Sequence, residues 1–170
     1  MDSDIAGRDV RSESLRRPLS IARRMSAVAG ALFVAAIVVG IPEAQRRLTM
    51  VLQLDGRSPA TVLTALCAFA ILLVLYGVPA IWLLHGKTRF RAVALAGPFL
   101  TLGSFVVTAA ARSGAGDRPP AGVEIAELMS FTVASVVLLT GRPTRGRLRA
   151  GIGLAGFWLL LSLVRTVAVR

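Results

Sequence analysis

The chain has 170 residues, of which 55% are hydrophobic and only 17% charged, and its mean hydropathy is +0.69. Soluble domains carry roughly 45–50% apolar and 25% charged residues, so this composition excludes an ordinary soluble domain. In a soluble protein the formal net charge of +11 would indicate a nucleic-acid partner. Here the arginines flank long apolar runs, where the positive-inside rule places them. We therefore expect a protein of the lipid bilayer with no nucleic-acid partner.

The rarer residue types narrow the protein class further. The single cysteine, Cys67, excludes an internal disulfide, a CxxC redox pair and a zinc-finger site. Its apolar neighbours predict an inert core thiol. Lys87 is the only lysine and asparagine is absent, a bias typical of GC-rich bacterial coding. No spacing of residues predicts a catalytic site, a metal site or a cofactor.

The chain divides into a tail and an all-α membrane bundle. Residues 1–24 are polar and rich in arginine, which predicts a disordered cytoplasmic tail. Residues 25–170 hold five apolar segments of roughly 26–36 Å, against a hydrocarbon thickness of about 30 Å. They predict transmembrane helices at about residues 25–41, 61–84, 92–111, 123–140 and 150–169.

The first apolar segment also fits the start of a secretory signal. Residues 41–45, which follow it, lack the small-x-small pattern of a cleavage site. We therefore expect a retained signal anchor. Residues 43–54 then predict either a short amphipathic helix in the outer interface or a helical extension of the first span beyond Pro42.

The cationic residues predict the orientation of the bundle. With the N-terminus inside, the inner segments hold 13 Lys and Arg residues and the outer segments hold 7. The positive-inside rule then places the N-terminus in the cytoplasm and the C-terminus outside, in a cell (inner or plasma) membrane. Tyr76, Trp82 and His85, near the inner end of the second span, predict an aromatic belt at the interface.

A dinucleotide-like motif opens the last span. Gly151, Gly153 and Gly156 match GxGxxG, but the βαβ context that the fingerprint needs is missing. Small residues on a membrane helix let neighbouring backbones approach closely. The motif therefore predicts helix packing.

Paired glycine and proline residues interrupt the second and third spans. Gly77 and Pro79 lie in one, Gly97 and Pro98 in the other, at matching depth about a turn near residue 88. Each proline removes a backbone donor and frees a carbonyl four residues earlier. Such paired interruptions indicate a hinge or binding site, although prolines are also tolerated in membrane helices without one.

Two glutamates lie within or close to the fourth span. If that span began after Glu127, only about 20 Å of helix would remain, so Glu127 lies within the membrane or just under its surface. Acidic residues there pair, line water or move protons and cations. Arg165 lies at equal height across the last hairpin, so an ion pair with Glu124 or Glu127 is the economical expectation.

These features leave three functional classes open. A non-catalytic subunit or interaction partner of a membrane complex, or a homo-oligomer, is favoured because no reactive constellation appears. A small carrier, channel or ligand sensor would use Glu124, Glu127 and the kinked helices. A membrane enzyme is the third class, for which no nucleophile–base pair can be named.

Overall fold

The computed structural model describes residues 3–54, 59–114 and 122–168, and every regular element in those ranges is helical. A 3-10 turn, Thr88–Phe90, connects the second and third α-helices. The α-helices are α1 (Ser3–Leu54), α2 (Pro59–Leu84), α3 (Arg91–Ala94), α4 (Ala96–Gly114), α5 (Gly122–Leu139) and α6 (Arg145–Ala168).

Four helical stretches of the described chain are long and apolar enough to cross a bilayer. In α2 the described apolar stretch is the shorter Phe69–Leu84, although the whole helix has 26 residues. The all-helical fold confirms that part of the prediction, whereas membrane insertion rests on composition and a fifth span through α2 stays a prediction. The four stretches are Leu19–Ile41, Thr88–Ala110, Gly122–Leu139 and Arg145–Thr166.

The first helix is longer than the predicted span. Its backbone continues through Pro42 to Leu54, which corresponds to the helical extension and not to a separate amphipathic helix. It also begins at Ser3, so residues 3–24 are helical where a disordered tail is expected. That stretch has few apolar residues to pack, so its disorder in solution stays a prediction.

Helices α1 and α2 form an antiparallel hairpin with a close contact at Gly30. A Cβ on Gly30 would lie 2.9 Å from Leu84 Cγ and 3.0 Å from the Ala80 carbonyl oxygen. Gly86, with φ +71°, forms the turn after α2, and Arg23 packs against it. The absence of a side chain at Gly30 therefore brings the two backbones together at this end of the hairpin.

The predicted third span is divided near its start. Leu95 separates α3 from α4, and its N–H bonds the Ala92 carbonyl only three residues back. Pro98 has no N–H to give to the Ala94 carbonyl, so regular helical bonding resumes with Phe99 N–H to Leu95 O at 3.2 Å. The proline thus explains why the helix is broken here.

Helices α5 and α6 form the second antiparallel hairpin. Gly141, with φ +70°, makes the turn, and Thr144 Oγ1 accepts the Arg147 N–H at 3.3 Å. This threonine caps the helix, so α6 begins at Arg145, five residues before the predicted boundary. Leu138 Cδ2 would lie 2.4 Å from a Cβ on Gly151, which fixes the close approach of the two helices.

The core between the two hairpins is aromatic. Phe131 lies 6.0 Å from Phe33, 5.9 Å from Tyr76 and 5.3 Å from Trp158, measured between ring centroids. All four side chains are buried. Tyr76 therefore belongs to the core and not to the expected interfacial belt, because its ring packs on α1 and α5.

Candidate functional site

The main candidate site is the cluster of Glu127, Ser162 and Arg165, which we call the Glu127 site. Arg165 Nη1 lies 2.9 Å from Glu127 Oε2, and Ser162 Oγ donates a hydrogen bond of 2.6 Å to Oε1. The Glu127 side chain is 9% exposed and that of Arg165 is 32% exposed. A buried carboxylate is thus held by one cation and one hydroxyl from the facing helix.

The helical periods of α5 and α6 produce this arrangement. On α6, Ala155, Trp158 and Ser162 share the buried face, and Arg165 follows Ser162 by three residues at the edge of that face. On α5, Glu127 precedes the buried Ser130, Phe131 and Ala134. Pairing of Phe131 with Trp158 sets the register, which brings Glu127 opposite Ser162 one turn further along.

The ion pair is close but not fully hydrogen-bonded. Glu127 Oε2 is buried and accepts no hydrogen bond with good alignment, so its contact with Arg165 is mainly electrostatic. The hydrogen bond from Ser162 therefore carries the directional part of the interaction. In a low-dielectric layer both contacts offset part of the desolvation cost of the carboxylate.

The structure separates Glu124 from this cluster. Glu124 lies in the first turn of α5, is only partly buried, and forms no ion pair with the residues that the structure describes. Arg112, near the end of α4, has no described side chain. Of the three predicted charged residues, Glu127 and Arg165 are therefore the two that are brought together.

Ser162 is the member of the site that sequence reasoning missed. A serine in an apolar helix usually bonds its own backbone, as Ser135 does with the Phe131 carbonyl at 2.8 Å. The signal for a different role was its spacing, three residues before Arg165 on the same side of α6. A hydroxyl one turn from the cation can reach the same carboxylate.

The glycine and proline residues lie where α4 approaches α2. Pro79 and Pro98 are both buried. A Cβ on Gly97 would lie 3.1 Å from the Leu75 carbonyl oxygen, the acceptor that Pro79 leaves free. The closest approach to Gly77 is 3.9 Å, from Ile37. Gly97 therefore lets α4 cover the free carbonyl, whereas Gly77 makes no comparably close contact.

A side-chain bridge holds the same two helices one turn further along. The hydroxyl groups of Tyr76 and Thr101 are hydrogen-bonded to each other, and Thr101 Oγ1 also donates to the Gly97 carbonyl at 3.0 Å. The kinked region is thus tied across the helices by polar contacts. This geometry fits a packed joint, and the hinge or binding role of Gly77, Pro79, Gly97 and Pro98 stays a prediction.

Glycines of the GxGxxG motif divide between two faces of α6. Gly151 is buried against Leu138, as a packing role requires. Gly153 and Gly156 are exposed, and a Cβ on either would have no neighbour within 4 Å among the described residues. Within the described part of the chain, only the first glycine of the motif therefore packs against another helix.

Two arginines reach the C-terminal end of α5. Arg91 Nη2 donates to the Leu138 carbonyl, and Arg147 Nη1 donates to the Thr140 carbonyl at 2.9 Å. Cations stabilise the negative end of a helix dipole and satisfy its free carbonyls. Phe90, which precedes Arg91, packs on Trp82 of α2 with ring centroids 4.2 Å apart and the rings tilted by 33°.

The described residues offer little for metal or thiol chemistry. No group of three or more His, Cys, Asp or Glu side chains in the described ranges could hold a metal ion. His85 Nδ1 lies 2.8 Å from the Ile81 carbonyl oxygen of its own helix. Cys67 is exposed, as are Leu66 and Phe69 beside it, so the expected core position is wrong.

Comparisons with known proteins add no assignment. No protein-family model, curated protein or solved structure matches the chain.

Proposed function

We propose that this chain is a non-catalytic membrane protein that packs against further transmembrane helices, either as a subunit of a membrane complex or as a homo-oligomer. The carrying observation is the open glycine face of α6, defined by Gly153 and Gly156. Open space beside both glycines would let another helix approach to backbone contact. In lipid, an exposed glycine contributes no packing of its own.

The Glu127 site supports the same proposal. Its carboxylate already has Arg165 at 2.9 Å and a hydrogen bond from Ser162. A transported cation or proton would have to compete with that arginine. We therefore infer a structural ion pair that joins α5 to α6.

A small carrier, channel or ligand sensor is the second candidate. It is favoured by Glu124, a partly exposed carboxylate without an ion pair among the described residues, and by the helix break at Leu95. Irregular backbone within a membrane helix is characteristic of transporter sites. In this case Glu124 would bind the cation and Glu127 would remain paired.

The partner proposal can be tested with substitutions on the open face of α6. Gly153→Leu and Gly156→Leu should abolish association with a helix, because each leucine would fill the approach space. Gly103→Leu on α4 is the matched control, since Gly103 also has open space but no second glycine at helical spacing. The readout is the mass of the gently extracted wild-type and variant assemblies.

A second copy of the chain can be distinguished from a different subunit by cross-linking. In a Cys67→Ser background, Ile152→Cys, one turn from Gly156, should form a disulfide-linked dimer on addition of an oxidant if two copies meet at this face. A different subunit would give a stoichiometric heavier assembly without that dimer. A monomeric wild type that carries cation-dependent flux in liposomes would instead support the carrier.

We further propose five spans, with α2 crossing the bilayer, an N-terminus in the cytoplasm and a C-terminus outside the cell membrane. The count of 13 inner against 7 outer cationic residues supports this orientation. Reporter fusions after Arg91 and Arg149 should then report cytoplasm, and fusions after Gly116 and Arg170 should report the outside. A cytoplasmic C-terminus would contradict the five-span topology.

A further inference from the structure

One end of the bundle collects cationic side chains that have no acidic neighbour among the described side chains, and we call it the basic end. Sequence segments 19–42, 56–116 and 128–170 contain no Asp or Glu. The nearest acidic residue of α1, Glu13, precedes Arg23 by about 15 Å of helix. The basic end consists of Arg23, Arg24, Lys87, Arg89, Arg91, Arg142, Arg145, Arg147 and Arg149.

Contacts at two turns and one contact between helices hold this end together. Arg23 packs on the Gly86 turn, Arg91 reaches from α3 to the Leu138 carbonyl, and Arg147 covers the Gly141 turn. A Cβ on Gly141 would lie only 1.7 Å from Arg147 Nη1. Arg23, Arg91 and Arg147 are therefore positioned by the fold.

Arg91 and Arg147 lie close enough to repel each other and have no counter-ion in the described chain. Both side chains are half-buried, and their charges interact unfavourably. Arg91 Nε is buried without a hydrogen-bond partner. Neutral carbonyls satisfy one donor on each guanidinium but do not neutralise it. Two adjacent half-buried cations are stabilised by an anion between or beside them.

We propose that the basic end binds the phosphate of an anionic phospholipid headgroup, with Arg91 and Arg147 as its principal donors. Each guanidinium has five N–H donors, and the carbonyl contact uses one of them. The remaining donors suit the paired oxygens of a phosphate.

Its surroundings favour a lipid over a free anion. Exposed apolar side chains of α2 and α3 adjoin this end, among them Ile81, Leu84 and Val93. The Trp82 ring, which packs on Phe90, has the amphipathic character of residues at headgroup depth. A lipid can place its phosphate on the arginines while its acyl chains cover the apolar surface. Basic clusters between transmembrane helices recognise acidic headgroups in this way.

The test uses the full chain in phosphatidylcholine nanodiscs, with phosphatidylglycerol as the added probe and native mass spectrometry as the readout. Arg91→Gln/Arg147→Gln should weaken retention of phosphatidylglycerol by at least about tenfold. The matched control, Arg89→Gln/Arg149→Gln, removes the same charge from exposed positions of the same two segments. It should weaken retention by no more than about threefold.

Three results would overturn the proposal. Equal losses in the two double variants would show general attraction to a basic surface. Unchanged retention in the site variant would exclude Arg91 and Arg147 as donors. Millimolar inorganic phosphate that displaces the lipid and is itself retained would show a site for a free anion. If the double variant does not fold, Arg147→Gln against Arg149→Gln gives the same comparison with one charge removed from each.

Discussion

Arginines from other elements contact helix α5 near both of its ends, but they bind different groups there. Near its start, Glu127 is buried and paired with Arg165 at 2.9 Å. About 16 Å further along the axis, Arg91 and Arg147 meet the helix carbonyls with no carboxylate beside them among the described residues. The same side-chain type thus completes an ion pair at one end and caps a helix dipole at the other. The comparison shows that an arginine's role is fixed by the atoms that it faces.

The largest effect is expected when one charge of the ion pair between Glu127 and Arg165 is removed. Arg165→Leu should destabilise the bundle by about 1–3 kcal/mol, because Glu127 is left buried and unpaired near the interface. Adding Glu127→Leu should recover much of that loss. The measurement is a double-mutant cycle of the free energy of unfolding in bicelles.

Two further variants test whether the effect is specific to the pair of Glu127 and Arg165. Glu124→Leu is the control and should change stability little, since Glu124 is partly exposed and has no ion pair in the described chain. Exchanging the charges, with Glu127→Arg and Arg165→Glu, should be tolerated if the pair is structural. Additive effects of the two leucine substitutions would exclude coupling between the residues.

The C-terminal end of α5 can be tested by a substitution in the turn at Gly141. Gly141→Ala should cost about 1–2 kcal/mol, because φ is +70° and the new Cβ would displace the Arg147 guanidinium from the Thr140 carbonyl. Gly146→Ala is the control, since Gly146 lies in α6 with open space around it. Thermal unfolding in detergent measures both, and an equal response would contradict this account of the turn.

A smaller effect on stability is expected when the hydroxyl of the Glu127 site is removed and the cation is kept. Ser162→Ala should destabilise by roughly 1 kcal/mol, because it removes the 2.6 Å hydrogen bond to the carboxylate. Ser135→Ala should have nearly no effect, since that equally buried hydroxyl bonds its own helix backbone. Indistinguishable unfolding curves for the two variants would assign Ser162 no special role.

The smallest effect is expected at the prolines. If the kinks only accommodate packing, Pro79→Ala and Pro98→Ala should each change the free energy of unfolding by less than about 1 kcal/mol. Association with another helix at the glycine face of α6 should also persist. Loss of association or transport by a variant that remains folded would instead identify a hinge or site.

The sequence predicted helices better than their boundaries. Apolar runs of membrane length were enough to predict an all-helical fold, because a lipid environment demands internal backbone hydrogen bonding. Breaks and caps depend on single residues, so the division at Leu95 and the early start of α6 at Arg145 were missed. The position of Tyr76 along α2 follows from its residue number, which predicts interfacial depth. The direction in which its side chain faces does not follow from residue number, so its place in the core is not predicted.

The sequence predicts contacts best between two residues of the same helical hairpin. Equal height about a turn near residue 145 could be calculated from residue numbers, and Glu127 and Arg165 lie together in the structure. Contacts between separate hairpins have no such rule. The approach of Gly97 to Leu75 and of Arg91 to Leu138 follows from tertiary packing, which residue spacing alone does not encode.

The contact between Glu127 and Arg165 has a consequence for biosynthesis. During synthesis the carboxylate of α5 emerges before the arginine of α6, so α5 alone would present an uncompensated charge to the lipid. Entry of both segments as one hairpin would let the translocon release a neutral pair. We therefore expect α5 to be retained beside the translocon until α6 has been made.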